Sequence, residues 1–107
     1  MRLFHRTSAE NAALIMSNGF RDASGDYGTS DESGKPILWT GVWLSDVPLD
    51  SNEGLDGDTM LEVIFDDVAE SILDDFEWVE EGKPYREWLV PAAALKLMTP
   101  QVRIVSG

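Results

Sequence analysis

No cysteine occurs in the 107 residues, so disulfides and thiolate chemistry are both excluded. There is one histidine, His5, and with neither a second histidine nor a cysteine beside it the chain lacks the ligand supply of a zinc-type centre. No apolar run approaches the ~20 residues that span a bilayer, and Met1-Arg2-Leu3-Phe4-His5 lacks the apolar core of a signal peptide. A cytoplasmic protein with no membrane association is therefore the expectation. Basic residues are scarce: eight Lys and Arg stand against twenty Asp and Glu, a net charge of −12. They are scattered from Arg2 to Arg103 rather than clustered, which disfavours nucleic acid as a partner, because phosphate contacts need gathered cations. A basic protein would be steered toward such a surface, although acidity also serves plain solubility.

Several familiar motifs are missing too. No Walker pattern, G-x-G-x-x-G or G-x-S-x-G elbow is present. A calcium loop fails in both registers of the acidic stretch 50–63. From Asn52 the sixth position is Gly57 but the twelfth is Val63, and from Asp50 the sixth is Leu55.

What remains is an ordinary globular composition, 43% apolar, in a chain long enough for one core, so residues 1–107 are read as a single domain. Leu3 to Arg6 reads as a first strand. Thr7-Ser8-Ala9-Glu10 fits a capping box with Thr7 as N-cap, and Ala12, Ile15 and Met16 recur at helical spacing. Gly19 supplies the helix stop. Residues 21–35 form a long Gly, Ser and Asp-rich loop, of the kind that serves as a lid or mobile segment. Strands are expected within 37–45, 60–65 and 101–105, and short helices over 67–73 and from Pro91 to Leu97. Phe76 to Val79 and Tyr85 to Val90 flank a Gly-containing turn and read as a hairpin. Strands dominate, which indicates an α+β fold with a mainly antiparallel sheet.

Two residues stand out chemically. His5 ends a strand, where the plain reading is a partly buried imidazole satisfied by a carbonyl. Glu87 interrupts a strand between Tyr85 and Trp88-Leu89-Val90. Arg86 cannot neutralise it, since adjacent strand residues point to opposite faces. Glu87 is either on the solvent side of an edge strand or a carboxylate held at the floor of a cleft.

Taken together, Phe4-His5-Arg6-Thr7 with its helix ending at Gly19-Phe20-Arg21, Gly41-Val42-Trp43-Leu44-Ser45-Asp46, and Tyr85-Arg86-Glu87-Trp88-Leu89-Val90 resemble the three motifs of the H-Y-E branch of the ADP-ribosyltransferases, the branch of the poly(ADP-ribose) polymerases. The resemblance implies a split β-sheet sandwich and transfer of ADP-ribose from NAD to a protein or small-molecule acceptor, with release of nicotinamide and no metal. It implies that His5 binds the adenosine ribose and that Arg6 and Thr7 hold the nicotinamide amide. Trp43 stacks on nicotinamide, Ser51 contacts the same amide, and Glu87 is the catalytic carboxylate at the 2′-hydroxyl of the nicotinamide ribose. Trp43 stands where the family has tyrosine, Arg6 where it has glycine, and Gly54 where a second stacking tyrosine is usual, for which Tyr27 or Trp39 could substitute. The span from His5 to Glu87 is short for the family, as in a trimmed bacterial or phage version. Mono-ADP-ribosyl transfer, plain NAD hydrolysis, and a non-catalytic acidic protein that sequesters a basic partner are the competing expectations. Transfer of an RNA 2′-phosphate ranks low for want of clustered arginines.

Overall fold

The computed structural model describes residues 1–25, 29–48 and 57–106. Strand β1 (Arg2–Thr7) alternates its side chains, burying Leu3 on one face and Phe4 on the other. Helix α1 (Ala9–Asn18) follows without a loop. Its N-cap is Ser8, whose hydroxyl accepts from the Asn11 amide at 3.1 Å, and not Thr7. Thr7 stays in β1 opposite Thr59, so the strand claims it before the helix can. Gly19 ends the helix at φ 85°, a conformation open to glycine, and its N–H reaches the Ile15 carbonyl. Ala12 is buried, but Met16 is exposed, so the helix buries a narrower stripe than its sequence spacing implies.

β2 (Ala23–Gly25) is a short strand inside the long stretch read as loop, and it pairs with β3 (Trp39–Ser45). Between them the described residues 29–37 are folded on themselves. The Asp31 carboxylate accepts from the Ser33 amide and hydroxyl and from the Lys35 amide, and these bonds hold it below its ordinary pKa. β4 (Thr59–Ile64), α2 (Asp67–Leu73) and a single 3₁₀ turn (Asp74–Phe76) come next. β5 (Glu77–Trp78) and β6 (Glu87–Val90) form the expected hairpin, with Trp78 opposite Glu87. α3 (Ala92–Met98) begins after Pro91, and its first amide is held by the Asp22 carboxylate at 2.7 Å. β7 (Gln101–Ser106) closes the chain.

The architecture is α+β. Among the described residues seven strands make one sheet in the order β5-β6-β3-β1-β4-β7, with β2 on β3, and every pairing of named strands is antiparallel. One face carries the core: Leu3, Leu44, Val63, Trp88 and Val90 pack against Leu73 of α2 and Leu95 of α3. Each such aliphatic side chain contributes about 1.5–3 kcal/mol of burial free energy.

The sheet is nearly parted in its middle. β1 and β4 pair along all six residues of β1, whereas β1 and β3 pair at Phe4↔Ser45 alone among the described residues. On one side lie β5, β6, β3 and β2, and on the other β1, β4 and β7. Beyond Phe4 the two strands diverge, and the cleft described below opens between them. Among the described residues no helix is long and apolar enough to cross a membrane.

The capping geometry is open to a direct check. Ser8→Ala is expected to lower unfolding stability by about 1 kcal/mol, the usual cost of losing an N-cap oxygen. Thr7→Val, which leaves that cap intact, is expected to cost less, and urea titration of both variants distinguishes them.

Candidate functional site

The parting of β1 from β3 creates a cleft of about 540 Å³, within the range of small-molecule sites. His5, Arg6, Thr7, Trp43 and Glu87 all contribute to its lining. Five of the six residues singled out from the sequence are thereby brought together. Ser51 lies outside the described residues, as does Tyr27.

Strand alternation explains how distant positions meet. Partners facing each other across antiparallel strands share a sheet face. Phe4 opposes Ser45, Ser45 opposes Glu87, and Trp43 opposes Leu89, so Trp43, Ser45 and Glu87 stand on one face. His5 opposes Leu61 and stands on the other face, toward the edge-on ring of Phe20 at 5.5 Å. The cleft reaches both sets because it runs through the gap between the strands.

The His5 side chain spans the gap. His5 Nδ1 lies 2.7 Å from the Trp43 carbonyl oxygen. A carbonyl only accepts, so Nδ1 carries the hydrogen, and the neutral ring keeps Nε2 as an acceptor. Burial pushes the His5 pKa below its ordinary 6.5, against the opposing pull of that hydrogen bond. Near neutral pH the ring is thus an uncharged acceptor suited to a ligand hydroxyl. Since the Trp43 carbonyl faces β1, alternation turns the backbone of Arg6 toward the same gap.

Glu87 is buried at 9% exposure, and β6 lies between β5 and β3, so it is not on the solvent side of an edge strand. The end of the second motif fixes it. Asp46 exchanges two bonds with the Arg86 backbone, its amide donating to the Arg86 carbonyl and its carboxylate accepting from the Arg86 amide. The Arg86 guanidinium turns away to a bidentate pair with Glu77, which holds the Glu77 pKa down. Lys83 instead donates to Glu87 Oε1 at 2.6 Å, with Glu80 as its second carboxylate at 3.0 Å. Burial alone would lower the Lys83 pKa, but its bonds to Glu87 and Glu80 raise it.

The other buried glutamate makes the contrast clear. Glu62 of β4 has both oxygens taken, Oε1 by Arg103 at 2.8 Å and Oε2 by Arg2 at 3.4 Å. Glu87 Oε2 has no partner among the described residues. One carboxylate is saturated, and the other offers an oxygen beside a cleft.

Trp43 stands in an aromatic run. Its ring meets Trp78 at 5.2 Å, and Trp78 meets Trp39 at 4.9 Å, both edge-to-face. The Trp39 indole N–H donates to the Thr29 hydroxyl. Gly57 closes another wall. It sits at φ 98°, and a Cβ there would fall 2.2 Å from the Thr7 backbone carbon, so only glycine fits. Its carbonyl accepts from Arg6 at 3.3 Å.

Sequence reasoning missed Lys83, Asp46 and Gly57 as parts of the site. Lys83 had a visible signal, a lysine directly after the turn glycine Gly82 and four positions before an unexplained strand glutamate. Gly57 had none, because its partner is backbone distant in the chain. No group of three or more His, Cys, Asp or Glu that could hold a metal ion occurs among the described residues.

The lowered His5 pKa sets the sign of a pH effect. The folded state favours the neutral ring, so the unfolded chain takes up a proton first, and stability falls as pH drops below 6.5 toward the lower folded value. Urea midpoints measured between about pH 7.5 and pH 5.5 should decrease for the wild type and change less for His5→Gln.

Compared with the models of known protein families, with the curated proteins and with the solved structures, the chain matches none.

Proposed function

We propose that the cleft binds NAD and that the protein transfers its ADP-ribose to a protein or small-molecule acceptor, releasing nicotinamide. The fold is then an ADP-ribosyltransferase-like one. The observation that carries the reading is the convergence of His5, Trp43 and Glu87 on one cleft from three separate motifs.

Each group suits a step. His5, neutral with Nε2 accepting, takes a hydroxyl of the adenosine ribose. The backbone of Arg6, with Thr7 beside it, receives the nicotinamide amide. The Trp43 face grips the flat leaving group, using binding energy for position. Cleavage of the bond between nicotinamide and ribose leaves its electron pair on nicotinamide and builds positive charge on the ribose. Glu87 faces that charge through Oε2, which also accepts from the 2′-hydroxyl. Lys83 pins Oε1, so the carboxylate needs little reorganisation as charge develops. The acceptor then bonds to the anomeric carbon and loses its proton. With water as acceptor, the same chemistry is NAD hydrolysis.

A second reading keeps the cleft as a non-catalytic remnant in an acidic protein that sequesters a basic partner. The net charge of −12 favours it, and a two-part experiment separates the readings. NAD at ~100 times its dissociation constant should add ~2.7 kcal/mol to unfolding stability. Glu87→Gln should keep that stabilisation while slowing nicotinamide release by about 100-fold or more. No stabilisation at millimolar NAD, together with no nicotinamide release by the wild type, selects the binding protein.

A further inference from the structure

Glu87 is buried, yet among the described residues only its Oε1 is engaged. Lys83 does not cancel the local charge, because the same ammonium also serves Glu80, so two carboxylates share one cation. The surrounding hairpin adds to the imbalance: residues 74–87 hold six carboxylates against two cations. Arg86, the second cation, is spent on Glu77. A negative field is thereby built into this end of the cleft.

An indole stands inside that field. Trp43 and Glu87 both line the cleft, and they are diagonal neighbours on one sheet face, since Trp43 opposes Leu89 and Ser45 opposes Glu87. Trp78, directly opposite Glu87, backs the Trp43 ring edge-to-face at 5.2 Å. The face of an indole is electron-rich and attracts a cation more strongly than the other side-chain rings do. An indole beside a buried carboxylate with an oxygen to give matches a flat cation on both counts. A neutral ring of the same shape gains the stacking alone.

We infer that the Trp43–Glu87 end of the cleft selects a flat cation, a quaternary pyridinium, over the same ring without its charge. The choice of ring rests on the NAD reading, in which nicotinamide is a pyridinium for as long as it is bonded to ribose. Cleavage returns the electron pair to the ring nitrogen and leaves nicotinamide neutral, so the site loosens its hold as the product forms.

The test applies two small probes to the full chain without NAD: 1-methylnicotinamide, a cation, and nicotinamide, its neutral counterpart. Dissociation constants are read from the backbone amide shifts of residues 42–45 and Glu87. The cation is expected to bind about tenfold more tightly. Trp43→Leu and, separately, the isosteric Glu87→Gln should each bring the two constants to within about threefold. Melting temperatures show whether each variant folds, and Glu87→Gln alone decides if Trp43→Leu does not. Equal binding of the two probes, tighter binding of nicotinamide, or no binding of either overturns the inference. So does a preference that survives in the folded variants, which assigns it to the net charge of the surface. Stabilisation by NAD without a preference between the probes keeps the NAD reading and removes this one, and a preference without stabilisation by NAD does the reverse.

Discussion

The early parting of β1 from β3 is the constraint on which the rest of the molecule depends. Antiparallel neighbours normally continue their ladder until one strand ends. Here β1 runs on for three residues beyond Phe4 and β3 is already fully extended opposite, yet the pairing stops at Phe4↔Ser45. His5 bridges the two strands there by reaching across to the Trp43 carbonyl. The same imidazole therefore props the gap open and presents an acceptor in it. Burial favours the neutral ring, which the acceptor role requires.

Rigidity on the far side of the gap comes from the joint between the second and third motifs. Asp46 clamps the Arg86 backbone, Ser45 lies opposite Glu87, and Lys83 holds one carboxylate oxygen. A buried ion pair is weak evidence for stability, since apolar residues of similar size often serve as well. Glu62, with two arginines on two oxygens, satisfies itself and presents nothing. Glu87, with one lysine on one oxygen, is fixed yet incomplete, a combination that suits a ligand better than it suits a core.

Much of the fold was legible in local signals. Asp67–Leu73 is helical over the expected range, and β4, β7 and the β5–β6 hairpin lie within a residue or two of their expected places. Those segments carry strong periodicity or a glycine turn. The misreadings fell where tertiary contacts overrode local ones. Thr7 has a capping sequence, but its pairing with Thr59 keeps it in the strand, and the cap moves to Ser8. β2 has almost no apolar content, and its strand character comes from β3 beside it. Of the site, His5, Trp43 and Glu87 were visible as residues a strand does not need. Of the supports around them, Asp46 and Gly57 act through backbone contacts that no spacing rule reveals, and Lys83 is signalled only by its place four residues before Glu87.

The central claim is that this gap receives a dinucleotide. A backbone amide shift map of the isotope-labelled protein, recorded while NAD is added, tests it most directly. The account predicts saturable changes concentrated at residues 5–8 and 41–45 and at Glu87, with the Trp43 indole among the strongest. Shifts confined to other surfaces, or none at millimolar NAD, would contradict it.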